Sequence, residues 1–126
     1  MSDTQLGKIT WCDLTVSDAK AVADFYAAVT GWTPRGLSMG RYEDYEMLSP
    51  DGDCAAGICN ARGDNAGLPT QWLVYITVAD VDAAASRCRE AGGVVVHGPR
   101  AMGGGRFAVI RDPAGAVAAL WQAPAA

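Results

Sequence analysis

The chain repeats one pattern of residues twice, and this internal duplication is the feature that most restricts its fold. Residues 14–18 (LTVSD) match residues 76–80 (ITVAD) at an offset of 62, and residues 50–56 match residues 113–119 at an offset of 63. A repeat of this size is one supersecondary unit that buries its apolar face against a neighbouring layer. Each half is therefore expected to bury a helix on one sheet face, which leaves the other face for a counterpart or a cleft.

Each half is predicted to run strand–helix–strand–strand–strand. Asp18 and Asp80 stand where helix N-caps are expected, because an aspartate carboxylate accepts from amides of the first helical turn. Gly31 stands where a C-cap glycine is typical. The predicted fold class is α+β with two βαβββ repeats. Its strands are expected near 9–16, 32–39, 42–49, 53–60, 71–78, 94–97, 105–111 and 116–122.

The length of 126 residues predicts a single domain. Repeat one is expected over about 8–60 and repeat two over about 71–122. The intervening segment 61–70 contains Gly, Asn and Pro, the composition of a linker.

Charge and composition disfavour several classes of partner and location. The net charge is −4 and no basic run occurs, which disfavours partners such as nucleic acids and anionic membranes. No apolar stretch approaches the roughly twenty residues that a membrane span needs. The polar N-terminus has no signal-peptide apolar core, so a cytoplasmic location is expected. The four cysteines form no Cys-x-x-Cys pair and are expected to be reduced.

Four segments in this order resemble the vicinal oxygen chelate superfamily, which contains glyoxalase I, bleomycin-resistance proteins and extradiol dioxygenases. They are residues 9–18 (ITWCDLTVSD), 25–32 (FYAAVTGW), 78–84 (VADVDAA) and 111–115 (RDPAG). The resemblance covers about residues 8–122. It implies paired, curved, mixed sheets built from two βαβββ repeats, and a homodimer.

The resemblance also implies where a metal would be bound. Family members that are metal enzymes carry His or Glu near the start of each half's first strand and on each half's last strand. In this chain these positions fall at Trp11, Leu73, Ala56 and Ala119. Such side chains do not ligate a divalent cation. We therefore expect no metal and no cofactor.

Alternation along the strands, started from Trp11, assigns one face of each strand to the cleft. A mostly apolar, aromatic cleft is typical of a pocket for an apolar or aromatic small molecule. The alternative is that the aromatic side chains only fill space between two sheets. The predicted ligand-binding residues are Trp11, Asp13, Cys54, Ala56, Ile58, Leu73, Tyr75, Ala119 and Trp121.

The leading hypothesis is a metal-free protein that binds a small apolar or aromatic molecule in the cleft between the two repeats. An enzyme using acid–base chemistry is the alternative, with Asp13 and Tyr75 as candidates, since burial would raise the pKa of a carboxyl group. A domain that acts through protein contacts is a third possibility. His97, the one histidine, is expected at a strand end or in a loop, and residues 103–105 (GGG) as a flexible segment beside the cleft mouth.

Overall fold

The structure, a computed structural model, describes residues 3–125. The described part of the chain forms eight strands and two helices, with short 3-10 turns at Asp3–Gln5 and Gly63–Asn65. The elements are β1 Ile9–Val16, α1 Ala19–Thr30, β2 Thr33–Ser38, β3 Glu43–Leu48, β4 Cys54–Asn60, β5 Trp72–Thr77, α2 Val81–Glu90, β6 Val94–Met102, β7 Gly105–Arg111 and β8 Val117–Gln122.

The chain divides into two compact units. Unit one is Cys12–Trp72, and unit two contains the described residues up to Trp11 and from Leu73 onward. The strands of unit one follow the order β2-β3-β4-β1, in which β1 and β4 are parallel. Those of unit two follow the order β5-β8-β7-β6, in which β5 and β8 are parallel. The predicted α+β class with two βαβββ repeats is confirmed.

Both helices begin at the predicted caps. The Asp18 carboxylate accepts from the Ala21 amide at 3.1 Å, and that of Asp80 accepts from the Ala83 amide at 3.0 Å. Gly31 ends α1 in the left-handed region with φ +80°, a conformation that costs glycine little.

A second bond, which the sequence analysis did not predict, ties each helix to the last strand of its repeat. The Ala19 amide donates to Asn60 Oδ1 at 3.1 Å, and the Val81 amide donates to Gln122 Oε1 at 2.9 Å. Both pairs are 41 residues apart, so the duplication preserves this contact. Each amide side chain satisfies a helix N-terminal N–H that has no partner within the helix.

Alternation separates the two faces of each sheet. In unit two, Ala108 and Leu120 form a buried cluster with Val81 of α2, so these side chains face the helix. Their strand neighbours point to the opposite side, which we call the helix-free face. Its most buried side chains are Leu73, Tyr75, Thr77, Phe107, Val109 and Ala119.

Strand β6 is longer than predicted. It continues to Met102, and His97 lies inside it, paired with Val109, and not at a strand end or in a loop. Gly103 and Gly104 have φ of +54° and +83° and join Met102 directly to Gly105. Two positive φ values match the tight hairpin turn that suits twisted strands. The expected flexible segment is therefore a short turn. Within residues 3–125, no helix has the length and apolar character needed to cross a membrane.

Candidate functional site

A pocket of about 360 Å³ lies within unit two. Three of its lining residues, Trp11, Tyr75 and Trp121, are among those predicted from strand alternation. The other two, Thr10 and Met102, were missed by the sequence analysis. Two indoles, a phenol ring and a thioether form an apolar, polarisable lining, which suits an aromatic ring better than an ion.

Close approach of β7 to β8 shapes the pocket wall at Trp121. A Cβ atom on Gly105 would lie 2.7 Å from Cη2 of the Trp121 indole and would also clash with the backbone oxygen of Gln122. Only glycine therefore fits at this position. Because Gly105 pairs with Met102, the same glycine holds the end of β6 beside the indole.

Tyr75 is supported from behind by a stack of side chains. Its ring lies 5.6 Å from the fully buried Phe107 ring at an interplanar angle of 21°. The Arg100 guanidinium lies 4.9 Å from the centroid of Phe107, and the His97 ring lies 5.7 Å from it. Arg100 Nε donates to His97 Nε2 at 2.7 Å, so this imidazole nitrogen acts as an acceptor. The stack fixes the orientation of the Tyr75 ring in the pocket wall.

The lining residue Thr10 has a hydroxyl group that is hydrogen-bonded within unit two. Thr10 Oγ1 lies 2.7 Å from Thr77 Oγ1, a normal distance for a hydrogen bond between hydroxyls. Thr77 is buried in β5, whereas Thr10 is exposed and lines the pocket. The buried Thr77 hydroxyl is therefore the hydrogen-bond partner of a pocket-lining residue.

Leu73 and Ala119 lie on the predicted face of unit two. Both are almost completely buried, and Ala119 pairs with Tyr75 across β5 and β8. They are outside the set that lines the pocket, so their contact with a ligand stays a prediction.

The face predicted for Ala56 and Ile58 is wrong. Ile58 is fully buried in the helix-side core of unit one, together with Leu14 and Met47. Ala56 pairs with Met47, whose side chain belongs to the same core. These two residues therefore pack towards α1, on the face opposite to the predicted cleft.

A β-bulge explains the error. The pairing of β3 with β4 shifts between Met47 and Leu48, which inserts one extra residue into β4. Asp13 of β1 pairs with Gly57 of β4, and the equivalent residue of the second repeat, Tyr75 of β5, pairs with Ala119 of β8. The offset between the paired residues of the two last strands is therefore 62 and not 63. The equivalent of Ala119 in the first repeat is Gly57.

The four positions that the resemblance implied for metal ligands are thus Trp11, Gly57, Leu73 and Ala119. None of these side chains offers a donor atom suited to a divalent cation. Within residues 3–125, no group of three or more His, Cys, Asp or Glu side chains is arranged to hold a metal ion. That the protein binds no metal stays a prediction.

Cys54 lies in a polar cluster of unit one. Its thiol donates to Glu46 Oε2 at 3.6 Å, and Arg35 donates to Glu46 Oε1 at 2.8 Å. Burial, and then the Glu46 charge, raise the pKa of the Cys54 thiol. The Arg35 guanidinium holds the pKa of the Glu46 carboxyl below its usual range. A contact between Cys54 and a ligand stays a prediction.

Asp13 lies in β1 within unit one, and its Oδ1 atom is shielded from solvent. Burial, followed by the charges of Asp13 and Asp44, raises the pKa of the Cys59 thiol to about 12. The buried Asp44 carboxylate accepts from the Asn60 backbone amide at 2.9 Å and from Asn60 Nδ2 at 3.0 Å. The thiols near Asp13 are therefore held in their protonated, unreactive form.

Comparison with known proteins agrees with this architecture. Among curated proteins, the chain is 36% identical over 129 residues to the anthracycline biosynthesis protein DnrV of Streptomyces peucetius, covering 92% of this chain and 47% of that protein. It is 34% identical over 114 residues to the putative glyoxylase CFP32 of Mycobacterium tuberculosis, covering 90% of this chain and 43% of that protein. The chain spans just under half the length of these relatives.

Solved structures share the fold. A methylmalonyl-CoA epimerase variant from Streptomyces coelicolor, in complex with 2-nitronate-propionyl-CoA, matches with a TM-score of 0.56 at 21% identity, covering 95% of this chain and 99% of that chain. The methylmalonyl-CoA epimerase of Mycobacterium tuberculosis matches with a TM-score of 0.56 at 18% identity, covering 100% of this chain and 93% of that chain.

A family model matches residues 8–120, nearly the whole of both repeats. The chain therefore belongs to the Glyoxalase/Bleomycin resistance protein/Dioxygenase superfamily.

Proposed function

We propose that the protein binds a flat, largely apolar small molecule in the pocket of unit two. The observation that carries this proposal is that two indole side chains, Trp11 and Trp121, line a pocket of about 360 Å³. This volume lies near the small end of the roughly 300–1,000 Å³ that ligand pockets span, which suits a few fused rings. The relative named for anthracycline biosynthesis supports an aromatic ligand.

Stacking supplies the affinity in this proposal. An aromatic ring laid on an indole is worth about 1–3 kcal/mol by alanine substitution in proteins that bind nucleobases. Tyr75 stacks on the buried Phe107 ring, and the Trp121 indole packs closely against Gly105, so we expect both rings to be ordered before the ligand binds. Ordered side chains lose little further entropy on binding.

Calorimetric titration with anthraquinone-2-sulfonate tests the proposal, with cyclohexanesulfonate as a ligand of equal charge but no aromatic face. We expect binding of the aromatic probe alone. Trp121→Ala should weaken that binding roughly 5- to 150-fold, the equivalent of about 1–3 kcal/mol. Trp32→Phe is the matched control, because Trp32 belongs to an aromatic cluster of unit one with Tyr26. Absence of binding, or equal affinity in Trp121→Ala, would refute the proposal.

Acid–base catalysis is the second candidate. The observation that favours it is the Asp13 carboxylate, which has one oxygen shielded from solvent. Burial first, and then the charge of Asp13, raise the pKa of the neighbouring Cys12 and Cys59 thiols. NMR detection of solvent deuterium entering 2-oxo compounds or CoA thioesters tests this candidate. Asp13→Asn should abolish the exchange while the protein stays folded. Exchange that survives in this variant removes Asp13 from the mechanism.

We also propose that two copies associate. The curated relatives are about twice as long as this chain, so they have room for two domains of this size. Leu37 and Met39, in and just after the edge strand β2 of unit one, are 43% and 50% exposed, which leaves apolar surface for a partner copy. Sedimentation equilibrium should report about twice the 13.1 kDa mass of one chain. A single species at the monomer mass over a wide concentration range would contradict this proposal.

A further inference from the structure

We infer that the ligand carries a carbonyl oxygen on its planar frame and that Thr10 donates a hydrogen bond to this oxygen. The inference rests on the proposed function and adds the chemical class of the ligand. It starts from the bond between the Thr10 and Thr77 hydroxyls, whose oxygens are 2.7 Å apart.

Proton counting sets the direction of this bond. Two hydroxyl groups have two protons, and their mutual bond uses one of them. Thr77 is 5% exposed, and its side chain makes this one hydrogen bond within the described part of the chain. If Thr10 donated, the Thr77 proton would be buried without an acceptor, which is costly. Thr77 therefore donates to Thr10.

The hydroxyl proton of Thr10 is then available for a hydrogen bond to an acceptor atom of the ligand. Because Thr77 occupies a lone pair of Thr10 Oγ1, the hydroxyl of Thr10 is held in place and acts towards the ligand as a donor. Thr10 directly precedes Trp11 in β1, so this donor is carried by the same stretch of strand as one of the stacking indoles. A planar ring bearing a carbonyl combines the two features that this arrangement recognises.

A matched pair of probes isolates the carbonyl. Anthraquinone-2-sulfonate and anthracene-2-sulfonate have the same ring frame and charge and differ in the two ring carbonyls. A neutral hydrogen bond at an exposed position adds a modest contribution, so wild-type protein should bind the quinone roughly two- to tenfold more tightly by calorimetry.

Three variants then assign this preference to Thr10. Thr10→Val keeps the side-chain shape without the hydroxyl and should reduce the affinity for the quinone to that for anthracene-2-sulfonate. Thr10→Ser keeps the donor and should restore the preference. Thr33→Val alters an exposed threonine of β2 in unit one and should leave the preference unchanged.

The outcomes separate this inference from the proposal beneath it. If wild-type protein binds both probes equally, or if Thr10→Val keeps the preference, the inference is overturned and the aromatic pocket stands. If neither probe binds, the proposed function fails and this inference fails with it. Loss of the preference in Thr10→Val with recovery in Thr10→Ser supports the inference.

Discussion

Removal of the Phe107 ring tests whether the interior of unit two is packed as the structure shows. The ring is fully buried and stacks on Tyr75 with centroids 5.6 Å apart. Arg100 lies over it at 4.9 Å. Phe107→Ala would leave a cavity at the centre of this stack and remove the support of a pocket residue.

The expected cost follows from burial. Truncation of a buried phenylalanine to alanine lowers the free energy of unfolding by about 3–5 kcal/mol, through lost transfer energy and the cavity left behind. Domains of this size are stable by about 5–15 kcal/mol, so the variant should remain folded but lose much of its stability. Phe25 offers the same chemical change at a side chain that is 57% exposed, where we expect a loss below about 1 kcal/mol.

Urea denaturation followed by circular dichroism measures both variants against wild-type protein, provided that the denaturant slope is unchanged. Phe107→Ala should also bind anthraquinone-2-sulfonate more weakly, because Tyr75 loses its support, whereas Phe25→Ala should bind as wild-type does. A loss below about 1 kcal/mol in Phe107→Ala, or equal losses in the two variants, would refute the packing described here.

Three further predictions concern pH, chain geometry and helix capping. The Cys59 thiol has a pKa of about 12 in the folded state against 9.0 when exposed, so the folded state keeps the proton as pH rises. The free energy of unfolding should therefore be constant below about pH 8 and then fall by roughly 1.4 kcal/mol per pH unit above pH 9 relative to Cys59→Ala; parallel pH profiles would contradict this. Gly105→Ala should displace the indole of Trp121 and lower both stability and probe affinity, and a variant with wild-type near-UV circular dichroism would show that the site has room. Gln122→Met should cost about 1 kcal/mol by removing the acceptor for the Val81 amide, and no change in the urea midpoint would show that this cap is dispensable.

Much of the fold was predictable because the duplication is local and regular. Strand β1 and β7 have the predicted bounds, and Asp18 and Asp80 cap the helices as expected. The additional cap formed by an amide side chain also has a signal in the sequence. Asn60 and Gln122 both carry an amide and are 62 residues apart, the offset at which residues 14–18 match residues 76–80. These features could be predicted because they depend on residues close together in the chain and on the periodicity of apolar residues, both of which can be read from a single sequence.

The errors arose where tertiary geometry overrides periodicity. The bulge opposite Met47 and Leu48 shifts β4 by one residue, and a shift of one residue turns each side chain to the other face. The contribution of Met102 was missed because β6 extends beyond the predicted strand. Thr10 was missed because strand alternation started from Trp11 assigns the adjacent residue to the opposite face, whereas both residues line the pocket.

The amide caps on the helices bear on how independently the sequences of the two repeats can change. The bond from Ala19 to Asn60 closes within the first repeat and the bond from Val81 to Gln122 within the second, so neither crosses segment 61–70. Each repeat therefore contains its own complete helix cap. The sheet surfaces of the two repeats can therefore differ while both caps are kept. That of unit one has buried carboxylates and protonated thiols, and that of unit two has an apolar pocket lined by aromatic rings.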